Sequence, residues 1–166
     1  LAVKEFGRLD VLINNAGGAL QIPAGEFEDL PLDYWDKQIT LNLSSAAYCA
    51  QAAVKNMKEN NIPGRIVNIS SVHGFISWVK RKFLPYCAAK GGLEMFTKAL
   101  GVEVAPYGIR VNCIAPGVIR TKMLDCYDED TLQVSKFECE YRATRREELT
   151  DLLCANGCGK VVWLFP

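Results

Sequence analysis

Tyr86 and Lys90 stand four residues apart in "PYCAAKGG" (85–92), with only Cys87, Ala88 and Ala89 between them. In a helix, residues at i and i+4 lie on one face, one above the other. A phenol alone titrates near pH ~10 and is a poor base at neutral pH. An ammonium a few ångströms away favours the phenolate and lowers that pKa. Such a pair could exchange a proton with a substrate hydroxyl or carbonyl. Gly91 and Gly92 follow directly. They cost helix stability, and close approach of a ligand or another backbone is one physical reason to accept them. The bare spacing is also that of an ordinary solvated surface pair.

What must position this pair is a set of strands and helices. "LDVLINNAG" (9–17) reads as a buried parallel strand ending in a turn. "LPLDYWDKQITLNLSSAAYCAQAAVKNMKENN" carries helical periodicity, with Leu43, Ala46, Ala47, Ala50, Ala53, Val54 and Met57 on one face. "PGRIVNISS" (63–71) is a turn and a second strand. "YCAAKGGLEMFTKALGVEVAPYG" (86–108) is a second long helix closed by Pro106 and Gly108, and "IRVNCIAPG" (109–117) is a third strand. Strands separated by helices of this length imply βαβ crossovers and a parallel sheet covered on both faces, an α/β fold. Ligands of such sheets bind in the crevice at the carboxyl ends of the strands. Those ends here carry "NNAG", "NISSVHG" and "IAPGVIRT", so Ser71 shares the edge at which the Tyr86 helix begins.

The bulk properties bound the function. The chain has 166 residues, 49% of them hydrophobic and 23% charged, enough for one domain with a sizeable core. Lys plus Arg and Asp plus Glu number 19 each, so no global field draws the chain to nucleic acid or anionic membrane. No apolar run approaches the roughly 20 residues that span a bilayer. "LAVKEFGRLD" lacks the charged-then-apolar pattern of a secretory signal and reads as a helix already under way. Seven cysteines, at 49, 87, 113, 126, 139, 154 and 158, are expected to be reduced, several of them among apolar neighbours as buried cysteines of cytoplasmic proteins are. "CANGC" (154–158) lacks four-ligand spacing and lies far from the lone His73, so no metal is expected.

With those residues in order, the sequence resembles the short-chain dehydrogenases/reductases. The matching elements are Asn14-Asn15-Ala16-Gly17, Asn42, Ser71 in "NISS", Tyr86-x-x-x-Lys90, and Pro116-Gly117 with Thr121. The resemblance runs from residue 1 to about 123, with a faint echo at "VVWLFP". It implies a Rossmann-type doubly wound parallel sheet, NAD or NADP as cofactor, and a small alcohol or carbonyl substrate. By resemblance, Tyr86 is the general acid/base, and Lys90 depresses its pKa and holds the nicotinamide ribose. Ser71 orients the reacting oxygen, and Asn42 anchors a water linking Lys90 to solvent. Asn14, Ala16 and Gly17 line the cofactor cleft by backbone contact, while Pro116, Gly117, Ile119 and Thr121 hold the amide end. "SSVHGFISW" and "KENNIPGRIVN" are most similar to the glucose dehydrogenase branch, making His73 and Trp78 candidate substrate-pocket residues. Singly, each residue has a plain structural reading: Asn14 and Asn15 as turn formers, Ser71 as a cap, Asn42 as a solvent-facing helix residue.

Some features depart from the family. No G-x-x-x-G-x-G turn after a first strand is present to hold a pyrophosphate on a helix N-terminus. The chain therefore reads as an internal fragment, 1–166 being a single partial Rossmann domain without its first half and last strand. The strand at 9–14 is then expected to present an open edge. The segment between Ser71 and Tyr86 looks about two residues longer than usual, with Lys80, Arg81 and Lys82 inserted, either a solvated tip or an attractor of an anionic substrate group. Residues 122–160 are polar and weakly periodic, a variable substrate loop or lid. The resemblance implies a cytoplasmic homo-oligomer, a dimer or tetramer, in the full-length protein. The rival to an alcohol–carbonyl oxidoreductase is a non-catalytic fragment whose long helices, 41–58 and 86–105, pair with another subunit. Another chemistry on the same fold, such as epimerisation, fits "NNAG" less well.

Overall fold

The computed structural model describes residues 1–20, 26–77 and 83–117, and the backbone of 161–163. After the short helix α1 (Ala2–Phe6) come strand β1 (Val11–Asn14) and helix α2 (Leu32–Ile39). A π-helical turn (Thr40–Ser44) joins α2 to α3 (Ser45–Glu59). Then follow β2 (Arg65–Ile69), α4 (Leu84–Val104), β3 (Arg110–Ile114) and β4 (Val161–Trp163). The strands form one parallel sheet in the order β3-β2-β1-β4, with Leu12 opposite Ile66 and Ile66 opposite Val111. Parallel neighbours joined through long helices are the Rossmann-like arrangement expected.

Side chains alternate across the sheet. Leu12 and Ile66 on one face pack with Ala50, Ala53 and Met57 of α3 and Val104 of α4. Val11, Ile13 and Val67 form a second buried cluster on the opposite face, so all four residues of β1 are buried. Alanines at 46, 50 and 53 let α3 lie close to the sheet, and Met57 fills the remaining space with none of its surface exposed. Truncating Met57→Ala is expected to cost about 2–5 kcal/mol through lost burial and the cavity left. The check is a urea midpoint that falls with an unchanged slope.

The structure differs from the sequence reading at three places in the fold. β1 is not an open edge, because Val11, Leu12 and Ile13 pair with Val161, Val162 and Trp163. A β-branched run can satisfy the ladder groups that a bare edge would expose. This closing strand lies beside β1, and among the described residues none lies beyond β3. The single helix expected through Asn42 is interrupted by the π turn at 40–44. Among the described cysteines all three are free, but Cys49 is exposed rather than buried. The lid expected at 122–160 and the basic triplet at 80–82 lie outside the described residues.

Candidate active site

The site is built where β1, β2 and β3 end. Ser71 follows β2 in extended conformation, 8% exposed, and its Oγ accepts the His73 backbone N–H at 3.2 Å. Tyr86 stands in the first turn of α4, close enough for the Ser71 hydroxyl to favour its phenolate. The short turn Val72–Gly74 after Ser71 is pressed onto α4: a Cβ on Gly91 would stand 3.2 Å from Gly74 O, and one on Gly74 3.1 Å from Lys90 O. Close backbone approach therefore accounts for Gly91, one of the two glycines after Lys90. Ser70 Oγ donates to Lys90 O at 3.1 Å and fixes the same junction.

One turn along α4, Lys90 is 4% exposed and its Nζ donates to Ile69 O at 2.9 Å. Burial pulls the ammonium down to about 8, against the opposing pull of Cys113 and Glu94. Among the described residues it forms no ion pair, so two of its three hydrogens remain for a ligand. Lys90 Nζ lies 5.7 Å from the Tyr86 ring centroid. Burial pushes the Tyr86 pKa up, and the Ser71 hydroxyl works against it. The Lys90 ammonium is turned to the Ile69 carbonyl.

Asn42 is 1% exposed in the π turn, not solvent-facing. Its Oδ1 accepts the Gly18 N–H at 2.9 Å and its Nδ2 donates to Gly18 O at 3.0 Å. A Cβ on Gly17 would stand 2.8 Å from Asn42 Oδ1 and 3.4 Å from Lys90 Nζ. The turn after β1 can reach both groups only because residue 17 has no side chain. Asn14 has turned inward. Its Nδ2 donates to Asn68 Oδ1 at 2.8 Å, and Asn68 Nδ2 donates to Thr97 Oγ1 at 2.9 Å, tying β1 to β2 and α4. Asn15, Ala16 and Gly17 are exposed, leaving their backbone open to a ligand. Pro116, after β3, accepts the Val72 N–H at 3.0 Å, and Gly117 follows it half-buried.

His73 is buried with its ring edge against Tyr86, centroids 6.3 Å apart, and tilted on Phe83 at 5.6 Å. Its Nδ1 lies 3.3 Å from Ile76 O. Ser71, His73, Tyr86, Lys90, Asn42, Gly17 and Pro116 thus meet at one sheet edge. Trp78, Ile119 and Thr121 lie outside the described residues. Sequence reasoning missed Gln38, one turn before Asn42 and fully buried against it. It also missed Glu94, whose Oε1 accepts from Cys113 at 3.3 Å. Burial first, and then Glu94, push that thiol up to about 11. Counting i±4 from Asn42 and Lys90 would have found both Gln38 and Glu94. Among the described residues no group of three His, Cys, Asp or Glu could hold a metal, and no helix is long and apolar enough to cross a membrane.

A family model described as short chain dehydrogenase matches residues 1–131. The chain is 38% identical to glucose 1-dehydrogenase 2 of Bacillus subtilis, over 80% of this chain and 50% of that protein. It is 37% identical to the D-beta-hydroxybutyrate dehydrogenase of Rhizobium meliloti, over 75% and 46%. The acetoin dehydrogenase structure from Enterobacter cloacae superposes with a TM-score of 0.65 at 41% identity, covering 73% of this chain and 48% of that one. The chain spans about half the length of the curated relatives it matches. By its fold, the residues at its strand ends and these matches, the chain belongs to the short chain dehydrogenase family.

Proposed function

We propose that the full-length protein interconverts an alcohol and a carbonyl with NAD or NADP, Tyr86 acting as the proton donor and acceptor. The observation that carries this reading is the placement of Ser71, just after β2, and Tyr86, in the first turn of α4, one helical turn from a buried Lys90 that forms no ion pair among the described residues. The nicotinamide, when bound, gives or takes the hydride. The residues present fit its ribose end: an ammonium with two hydrogens to spare lies beside the exposed backbone of Ala16 and Gly17. Pro116 and Gly117, with Ile119 and Thr121, would hold the amide end.

Ser71 holds the reacting oxygen by its hydroxyl, and the Tyr86 hydroxyl passes a proton to it in reduction or takes one in oxidation. With its pKa raised by burial, Tyr86 is protonated at neutral pH and suited to donate. Lys90 binds hydroxyls and, when a ligand draws Nζ toward Tyr86, stabilises the phenolate that donation leaves. Asn42 Oδ1, facing Lys90 across Gly17, is suited to anchor a water through which the proton is restored. His73 walls the substrate side against Tyr86, with Trp78 as its candidate companion.

The substrate is a small alcohol or carbonyl, and the relatives' printed substrates differ too widely to select one. The exposed Tyr48, Met95 and Val102 on α3 and α4 suit pairing of two copies in a cytoplasmic homo-oligomer. The test is a fluorescence titration of the full-length protein with NADH and NADPH, followed by turnover with NAD or NADP on a panel of secondary alcohols and sugars. Saturable micromolar binding and turnover are expected. A folded full-length protein that binds neither coenzyme would overturn the reading.

A further inference from the structure

Gln38 is wholly buried in α2, one helical turn before Asn42, and its side chain bonds Asn42. A carboxamide with no exposed surface must find partners for two hydrogens and an oxygen. Gln38 has two ways to do so. In one, its Oε1 accepts from Asn42 Nδ2 at 2.8 Å and its Nε2 donates to the Tyr34 hydroxyl at 3.2 Å. In the other, its Oε1 accepts the Leu20 N–H at 2.8 Å and the Tyr34 hydroxyl at 3.2 Å, while its Nε2 donates to Gly18 O at 3.2 Å. The second orientation sets Nε2 2.8 Å from Asn42 Nδ2, so the amide cannot serve Asn42 and Leu20 at once. Both orientations join α2 to the turn that follows β1, directly through Gly18 and Leu20 or by way of Asn42.

We propose that Gln38 is a positioning residue for the candidate site, clamping the Gly17–Leu20 backbone and Asn42 into the register that faces Lys90. The inference rests on the proposed function for its catalytic consequence but not for the clamp itself. Gly17 sits against both Asn42 Oδ1 and Lys90 Nζ, and Gly18 exchanges two hydrogen bonds with Asn42. A shift of this turn therefore moves the exposed backbone of Ala16 and Gly17 relative to the ammonium. Tyr34, 7% exposed, is the outer support of the amide, since its hydroxyl bonds Gln38 in either orientation. A buried glutamine that merely filled space would be replaceable by a methionine of similar shape at a cost in stability alone.

The test uses Gln38→Met in the full-length protein with two readouts. The first is hydrogen exchange of the Gly18 amide, which is expected to speed up about tenfold as Asn42 is released. The second is steady-state kinetics well below the melting temperature, where kcat is expected to fall about tenfold with KM changed far less. Tyr34→Phe, which keeps the amide but removes its outer support, is expected to move both in the same direction by less, and it serves if the methionine variant does not fold. Unchanged Gly18 exchange in the folded variant overturns the clamp. Faster exchange with kcat unchanged overturns the positioning role. Absence of nicotinamide-dependent turnover in the wild type sinks the proposed function instead, and the exchange measurement still decides the clamp.

Discussion

Tyr86→Phe in the full-length protein is expected to lower kcat by about 10²–10⁴-fold while leaving coenzyme affinity within about twofold. The substitution removes one oxygen and keeps the ring, which packs between Phe83, at 6.1 Å, and His73. Shape is therefore retained, and the loss falls on the proton alone. Stability should change little, because a single hydroxyl contact of this kind contributes only about 1 kcal/mol net. The pH dependence has a definite sign. Burial raises the phenol above its ordinary value, so the acid form dominates at neutral pH. Carbonyl reduction should then hold up toward acid, and alcohol oxidation should climb as pH rises toward the phenol's pKa. That alkaline limb should vanish in the Phe variant. Steady-state rates in both directions, with NADH and NADPH titrations of the same preparations, make the comparison. A Phe variant that keeps its turnover would overturn the assignment of Tyr86.

How much of this was legible in the sequence depends on what each residue must do. The strand at 9–14 and the helix at 86–108 were visible because burial on both faces and a 3.6-residue period leave marks that need no partner to interpret. Tyr86 and Lys90 were legible for the same local reason, since a helix fixes which residues share a face. The direction in which a long side chain points is not local. Lys90 turns to the Ile69 carbonyl, and burial outweighs the Ser71 hydroxyl at Tyr86, a balance that no spacing encodes. Asn14 read as a turn former with an open backbone, and its side chain instead braces Asn68 and Thr97 across the sheet. The pairing of β1 with residues 161–163 joins segments about 150 residues apart, and alternation within either one is silent about the other. Gln38 was hidden because a glutamine in an amphipathic stretch looks like the solvated face, and only the close packing of the 17–20 turn buries it.

Lys90→Met is expected to stabilise the fold at pH 7 and to abolish function. The folded chain holds the Lys90 ammonium at about 8, against 10.5 as the ordinary value, chiefly through burial. Below pH 8 the side chain is charged in both states, and the folded state alone carries the desolvation penalty, on the order of 3 kcal/mol. Between about 8 and 10.5 the unfolded chain binds the proton and the folded chain sheds it, so wild-type stability rises with pH across that window. Methionine matches the length of the stem without the charge. Its removal of the penalty is offset in part, because Ile69 O loses its donor and Cys113 and Glu94 lose a positive neighbour. A net gain of about 2 kcal/mol at pH 7, shrinking to nothing or less above pH 10.5, is what remains. Denaturant midpoints of wild type and variant from pH 7 to 11 read the effect, since titrating groups that do not interact with Lys90 cancel in the difference, and Cys113 enters only near its own value of about 11. The same variant should lose most of its affinity for NADH and its turnover, because among the described residues no other side chain at that edge offers an ammonium to a ribose. A Lys90→Met protein that is less stable at pH 7 and parallel to wild type across the window would show that the buried ammonium is a structural strut, and would remove the reason for assigning it to the cofactor.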